Sequence, residues 1–127
     1  VPASTPIGYG CSFITARDST IALLPVGYAD GFDRRFSNRG HVLVRGKKVP
    51  IVGRVSMDLT VVDVTDVPDA AVGDEVVIIG EQGGQEISAH EVAELSGTIC
   101  YEILSRIGKR VPREYVDCGS ASYRKVR

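Results

Sequence analysis

Residues 41–64 read HVLVRGKKVPIVGRVSMDLTVVDV, and this stretch decides the fold class. Three runs within it are rich in β-branched side chains, which favour strands: residues 41–45, 48–55 and 59–64. Gly46-Lys47 separates the first two runs and predicts a hairpin turn. We therefore expect a β structure in this part of the chain.

Further strands are predicted on both sides of this stretch. On the amino-terminal side, residues 7–16 and 20–26 flank Arg17-Asp18-Ser19, a tight connection between paired strands. On the carboxy-terminal side, turn residues at 72–74 precede a strand over 75–79. Gly83-Gly84 then precedes a short extended piece at 86–87. Many short strands at regular spacing predict a mainly β fold, a small barrel or sandwich.

Two short helices interrupt the β pattern. Ser88 followed by Glu91 matches a capping box, and Gly97 ends the first helix. Thr98 is the predicted cap of a second helix that ends at Gly108. Its isoleucines lie on one side: Ile99, Ile103 and Ile107. The Ser-Gly-Thr between the helices is faintly similar to a helix-turn-helix, but the second helix lacks exposed base-reading residues. We expect a helical pair that covers one end of the β structure.

Length and composition limit the function classes. A chain of 127 residues fits one domain with a core of its own. We predict a β domain over residues 1–116 and a polar, less ordered tail over 117–127. The formal net charge is −1 and no basic stripe runs along any segment, which argues against a nucleic-acid partner.

Cysteine, histidine and hydropathy patterns point to a reduced, metal-free, cytoplasmic protein. The three cysteines, an odd number without paired spacing, argue against a disulfide framework: Cys11, Cys100 and Cys118. His41 and His90 lie far apart on unlike segments, so no metal site is expected. No apolar run is long enough for a membrane span, and no signal-peptide pattern occurs.

Three glycine-rich phrases carry the functional signal. They are Gly8-Tyr9-Gly10, residues 27–32 (GYADGF) and residues 53–58 (GRVSMD). Together with Tyr101-Glu102 and residues 109–113 (KRVPR), their order and spacing resemble the carboxy-terminal domain of alanine racemases, which depend on pyridoxal phosphate (PLP). The resemblance runs from about residue 7 to about residue 115.

The resemblance implies that Tyr9 is one of two acid/base groups that work on opposite faces of the substrate. In the family the other group is the lysine that holds PLP, on an amino-terminal barrel domain. Without the resemblance, the tripeptide alone favours an edge-strand or core tyrosine with glycines at a bulge over a catalytic one. A phenol with an ordinary pKa of about 10 needs nearby positive charge to act as a base.

The second phrase is implied to form the entrance of the active site. Tyr28 restricts which substrates reach the cofactor, and Arg34 and Arg54 line the same corridor. Asp30 and Gly31 are interpreted as a structural turn.

The third phrase implies a carboxylate contact from the backbone N–H of Met57. Ser56 stands where several family members have cysteine, a change we expect to be tolerated. Taken alone, Met57 would be a filler of gaps in the core.

In the second helix, the resemblance implies that the Tyr101 hydroxyl contacts the PLP phosphate and that Ile99 shapes the channel. Cys100 stands where the family often has asparagine. The alternative for Tyr101 is an amphipathic-helix tyrosine with a packed ring and a solvated hydroxyl.

The sequence lacks the rest of such an active site. No glycine-rich phosphate loop with a following lysine occurs, and no lysine lies in the family's PLP-attachment context. The resemblance therefore implies one part of a homodimeric L-/D-alanine racemase that supplies D-alanine for peptidoglycan. PLP would be bound mainly by the absent amino-terminal domain, and this domain alone would be inactive.

Two other interpretations stay open. One is a β-barrel module that works through protein contacts or regulation. The other is a racemase domain for another amino acid, such as serine or lysine, because much of the specificity wall lies outside this chain.

Overall fold

The structure is a computed structural model that describes the backbone of residues 1–116 and 123–126 and the side chains of residues 1–8 and 10–115. The strands and helices are β1 (Pro6–Ile7), β2 (Phe13–Ile14), β3 (Ile21–Leu24), β4 (His41–Val44), β5 (Lys47–Pro50), β6 (Thr60–Asp63), β7 (Val76–Val77), β8 (Gly80–Gln82), β9 (Gln85–Ile87), α1 (Ala89–Ser96), α2 (Cys100–Ser105), β10 (Arg113–Val116) and β11 (Tyr123–Val126). The prediction of a mainly β domain with two short helices is confirmed.

Two antiparallel sheets form the centre of the domain. One has the order β5-β4-β7, and the other pairs β3 with β6. A bridge between Ile51 and Val62 joins them, supported by a 2.9 Å hydrogen bond from Val52 N–H to the Val61 carbonyl. The described strands do not close into a barrel, so the arrangement agrees with an open sandwich.

The core lies between the central sheets and the helices. Val42, Leu43 and Val44 of β4 are all buried, because this strand is covered on both faces. Val92 of α1 and Ile103 of α2 belong to the same cluster. The helical pair therefore packs on the β structure, as predicted.

The hairpin predicted within residues 41–55 is present. Val44 pairs with Lys47, so its turn is Arg45-Gly46, one residue earlier than predicted. Both turn residues have positive φ, 49° and 76°, which is typical of a two-residue hairpin turn.

The single strand predicted over residues 7–16 is wrong. Gly8 and Gly10 have φ of 78° and 75°, and a 3-10 turn at Tyr9–Cys11 folds the segment back on itself. As a result β1 pairs with β2, and β3 pairs with β6. The predicted pairing across Arg17-Asp18-Ser19 is wrong for the same reason.

Other predicted strands are present but shorter. β5 stops soon after Pro50, since Gly53 has a φ of 78° and ends the extended course. β7 covers only Val76–Val77 of the predicted 75–79. The strands predicted at 59–64 and 86–87 are confirmed as β6 and β9.

Helix α1 begins and ends where the sequence predicts. The Ser88 side chain accepts a hydrogen bond from Glu91 N–H, and Gly97 closes the helix with a φ of 68°. Helix α2 differs: its cap is Ile99 rather than Thr98, whose hydroxyl bonds to Glu102 instead. It ends at Ser105, with Arg106 as its C-cap, before Ile107 and Gly108.

The predicted boundary between residues 116 and 117 stays a prediction. Residues 117–122 and 127, most of the predicted tail, lie outside the described part of the chain. Strand β11 pairs antiparallel with β10, with Val116 opposite Tyr123.

Candidate functional site

The Gly-Tyr-Gly phrase forms a tight turn. Tyr9 begins the 3-10 turn, and Cys11 N–H donates to the Gly8 carbonyl over 3.2 Å. The flanking glycines are required here because both have positive φ. The Tyr9 side chain lies outside the described part, so its acid/base role stays a prediction.

This turn is in backbone contact with the loop that contains Met57. A Cβ placed on Gly8 would lie 3.1 Å from Gly53 Cα, and one placed on Gly53 would lie 3.2 Å from Gly8 Cα. We call this pair the site contact. It fixes the Tyr9 turn beside the beginning of the third glycine-rich phrase.

Arg54 extends along the same turn. A Cβ on Gly10 would lie 3.1 Å from Arg54 Nη1 and 3.3 Å from its Cζ. The guanidinium, which belongs to an exposed residue, therefore brings positive charge next to the Tyr9 turn.

The second phrase is bound to the third. Tyr28 N–H donates to the Ser56 carbonyl over 3.0 Å, and Ala29 N–H donates to the Met57 carbonyl over 2.9 Å. Gly27 has no room for a side chain, because a Cβ there would lie 2.2 Å from the Ser56 carbonyl oxygen. The two loops behave as one unit.

Met57 lies at the surface rather than in the core. Its side chain is 55% exposed, which excludes the gap-filler interpretation. Its carbonyl is bound to Ala29, while its N–H donates no hydrogen bond within the described residues. Ser56 holds this turn: its Oγ donates to the Leu59 carbonyl and accepts from Leu59 N–H. No pattern in the sequence predicted that role for Ser56.

Tyr28 and Arg34 lie together, and their role at an entrance stays a prediction. The Arg34 guanidinium is 5.8 Å from the centre of the Tyr28 ring, a cation–π distance, and Tyr28 is 45% exposed. Both line an open cleft with Asp33 and Arg106, which form an ion pair at 3.4 Å. Arg106, at the end of α2, was not among the predicted site residues.

Asp30 is more than a turn residue. The predicted turn is present, with Gly31 at a φ of 100°. In addition, the buried Asp30 carboxylate accepts a hydrogen bond from Gly27 N–H over 3.1 Å and forms an ion pair with Arg110. The Arg110 guanidinium, then the Gly27 N–H, lower the pKa of the Asp30 carboxyl below its ordinary value. This ion pair fixes the Tyr28 loop to the segment after α2. No local pattern links residues 80 positions apart.

Ile99 and Tyr101 lie at the beginning of α2 and are 63% and 77% exposed. The Tyr101 ring is thus not packed into this domain, against the amphipathic-helix alternative. Within the described residues, no hydrogen bond, ion pair or ring contact joins either residue to Tyr28, Arg34 or Arg54. The predicted site residues therefore fall into two groups.

The described residues fit PLP only in part. Tyr101 is 77% exposed and its side chain makes no hydrogen bond among the described residues, which suits contact with a phosphate. The described lysines (Lys47, Lys48 and Lys109) are all exposed, and Lys48 pairs with Glu91 at 3.3 Å. A lysine that forms an imine needs an enclosed site, and these exposed lysines have none. The described residues therefore suit contact with the PLP phosphate through Tyr101 rather than covalent attachment of the cofactor.

Among the residues whose side chains the structure describes, no group of three or more His, Cys, Asp or Glu side chains is arranged to hold a metal ion. Neither helix in the described part is long and apolar enough to cross a membrane.

Comparison with known proteins gives one family. The family model described as alanine racemase, C-terminal domain, matches residues 1–115. Alanine racemase of Halothermothrix orenii is 61% identical over 115 residues, covering 91% of this chain and 30% of that protein. The chain thus spans about a third of the length of such relatives.

Solved structures agree. The alanine racemase of Bacillus anthracis with bound L-Ala-P has a TM-score of 0.86 at 42% identity, over 98% of this chain and 32% of that one. The alanine racemase of Bartonella henselae with covalently bound pyridoxal phosphate has a TM-score of 0.80 at 43% identity, over 87% and 30% of the two chains.

Proposed function

Because the chain belongs to the alanine racemase C-terminal domain family, we propose that it is the β domain of a PLP-dependent enzyme that interconverts L- and D-alanine. The full protein is a cytoplasmic homodimer that supplies D-alanine for peptidoglycan. In it, this domain contributes Tyr9 as acid/base and Met57 as the substrate-carboxylate contact.

The site contact is the observation that carries the proposal. It joins the Tyr9 turn to the Met57 loop by backbone, with no side chain between them. A base and a carboxylate anchor must keep a constant separation if the substrate Cα is to be held within reach of the base. Backbone contact between two glycines supplies such a separation.

Local charge also favours this role. A phenol works as a base only when its surroundings favour the phenolate. The Arg54 guanidinium beside Gly10 supplies positive charge at the turn. The Met57 N–H, which has no acceptor among the described residues, offers a donor for a substrate carboxylate. Arg34 adds charge that guides a zwitterionic amino acid through the Tyr28 cleft.

The two groups of site residues suggest a division between subunits. Tyr9, Tyr28, Arg34, Arg54 and Met57 serve the active site of the partner subunit. Ile99 and Tyr101, which have no described contact with them, serve the site of their own subunit, where Tyr101 holds the phosphate of PLP. When bound there, PLP withdraws electrons from the substrate Cα and makes its proton removable.

The test follows the α-hydrogen of each enantiomer in the full-length enzyme. Tyr9→Phe should abolish racemisation, since each turnover needs both acid/base groups. Exchange of the α-hydrogen with solvent deuterium should fall for one enantiomer only, with the PLP absorption spectrum unchanged.

Tyr115→Phe is the matched control, because Tyr115 is an exposed tyrosine on β10. It should leave both exchange rates unchanged. Equal exchange of both enantiomers by Tyr9→Phe would remove Tyr9 from its assigned role. Faster turnover of serine or lysine than of alanine by the wild-type enzyme would overturn the substrate assignment.

This chain alone should not racemise alanine, even with added PLP, because the base has no bound substrate to act on. Turnover by a purified sample free of contaminating racemase would contradict the proposal.

A further inference from the structure

Asn38 forms hydrogen bonds with both the N–H and the carbonyl of Gly53, one of the two glycines of the site contact. Its side-chain Oδ1 accepts from Gly53 N–H over 2.6 Å, and its own N–H donates to the Gly53 carbonyl over 3.1 Å. To do so it adopts a left-handed conformation with a φ of 57°, which asparagine tolerates better than most residues. Gly53 is thereby held by two hydrogen bonds to Asn38 in addition to its contact with Gly8.

The other end of the same amide reaches the Tyr9 turn. Asn38 Nδ2 donates to Ser12 Oγ over 3.1 Å, and Ser12 directly follows the turn Tyr9–Cys11. One exposed side chain therefore ties the loop that leads to Met57 to the end of the turn that carries Tyr9.

We propose that Asn38 is a positioning residue for racemisation, which keeps Tyr9 aligned with the substrate held at Met57. This inference rests on the proposed function. Asn38 touches neither substrate nor cofactor in this account; it acts through Gly53 and Ser12. Its loss lets the Tyr9 turn shift relative to the Met57 loop.

The chain offers a matched control in Gln82. Its Oε1 accepts from Gly46 N–H over 2.8 Å, and its Nε2 donates to the Glu75 carbonyl over 3.1 Å. Gly46 in turn touches Gly83: a Cβ on Gly46 would lie 3.2 Å from Gly83 Cα. We call this pair the hairpin contact. Gln82 makes the same type of bond at a glycine contact that carries no predicted site residue.

The experiment compares variants of the full-length enzyme. Asn38→Gly removes the side chain and keeps the left-handed conformation accessible. Ser12→Ala removes only the far hydrogen bond. Asn38→Asp keeps acceptors for Gly53 N–H and for the Ser12 hydroxyl, and serves as the rescue. Gln82→Ala is the control.

The readout is the ratio of the α-deuterium exchange rates of the two alanine enantiomers. Loss of folded enzyme lowers both rates equally and leaves this ratio unchanged, so a merely structural role is invisible to it. Asn38→Gly should shift the ratio by about tenfold, in the direction found for Tyr9→Phe. Ser12→Ala should shift it less, Asn38→Asp should stay near wild type, and Gln82→Ala should not shift it.

An unchanged ratio in Asn38→Gly, while Tyr9→Phe shifts it, overturns this inference and leaves the proposed function standing. An unchanged ratio in Tyr9→Phe overturns both. If Asn38→Gly fails to fold, Ser12→Ala decides the question alone.

Discussion

The site contact and the hairpin contact are built alike. Each brings two glycines of positive φ together, Gly8 with Gly53 and Gly46 with Gly83. In each, a side-chain amide accepts from one glycine N–H. Each also has an Asp–Arg ion pair nearby whose carboxylate accepts a backbone N–H: Asp30 with Arg110, and Asp74 with Arg45.

The difference lies in what surrounds the two contacts. Around the site contact, Met57 and Tyr28 are exposed, and the Met57 N–H donates no hydrogen bond to any described residue. The hairpin contact joins the turns β4–β5 and β8–β9 and carries none of the predicted site residues. Glycine contacts, side-chain amide hydrogen bonds and ion pairs occur in both regions and therefore have a structural role. The two regions differ in the exposed groups that these interactions hold.

The largest expected effect is a loss of stability, and it depends on how much room surrounds a glycine. Gly27→Ala should destabilise this chain by about 3 kcal/mol or more, because its Cβ would lie 2.2 Å from a backbone oxygen that cannot move aside easily. Chemical denaturation measures this. The matched variant Gly73→Ala has a φ of 95° but no atom within 4 Å, so only about 1–2 kcal/mol of strain is expected. Equal losses would show that Gly27 is not sterically required.

The next prediction compares the two contacts directly. Gly53→Ala and Gly46→Ala have similar φ, 78° and 76°, and similar Cβ distances to the opposing glycine. Both should lose about 2 kcal/mol of unfolding free energy. In the full-length enzyme, only Gly53→Ala should also lower kcat/KM, by roughly 100-fold per folded molecule. Equal losses of kcat/KM would erase the distinction between the contacts.

A smaller effect concerns pH. Arg110 and the Gly27 N–H lower the pKa of Asp30, and Arg45 and the Ala71 N–H lower the pKa of Asp74, both from an ordinary value of 3.8. A carboxyl whose pKa is lowered in the folded state stabilises the fold at pH above its unfolded-state pKa. This stabilisation is lost as the pH falls through the folded-state pKa. The stability gap between wild type and Asp30→Asn should therefore be constant above about pH 5 and shrink below pH 3.8.

Asp74→Asn should show the same pH dependence of stability, since its causes are of the same kind. The two variants should differ in amide hydrogen exchange of residues 27–31, which only Asp30→Asn should accelerate. A gap that widened on acidification would contradict the assigned pKa direction.

The smallest expected effect on stability is that of Arg34→Gln. An exposed cation–π contact is worth about 0.5–1 kcal/mol, and thermal unfolding should change little. In the full-length enzyme KM for alanine should rise while kcat is kept, because the charge guides the substrate. Arg17→Gln, which breaks the exposed 3.1 Å pair with Asp66, is the control and should leave KM unchanged.

Local signals in the sequence predicted the elements that depend on neighbours in the chain. The β4–β5 hairpin followed from β-branched runs around a glycine, and α1 from Ser88, Glu91 and Gly97. The segment 7–16 was mispredicted because its apolar residues suit a strand, while two glycines of positive φ turn it back. Strand propensity does not reveal that choice of φ.

Contacts between distant residues had no signal in the sequence. The pairing of β3 with β6, the Asp30–Arg110 ion pair and the hairpin contact each join segments tens of residues apart. For the site, motif resemblance predicted a set of residues whose roles stay predictions: Tyr9, Tyr28, Arg34, Arg54, Met57, Ile99 and Tyr101. The support that Asp30, Asn38 and Ser56 give them arises only from the fold.

The most direct test of the central claim is a crystal structure of the full-length dimer with a bound alanine analogue. The Met57 nitrogen should lie about 3 Å from the acid group of the analogue, and the Tyr9 hydroxyl should face its Cα across the subunit boundary. A Tyr9 ring packed into the core of its own domain, away from the analogue, would contradict it.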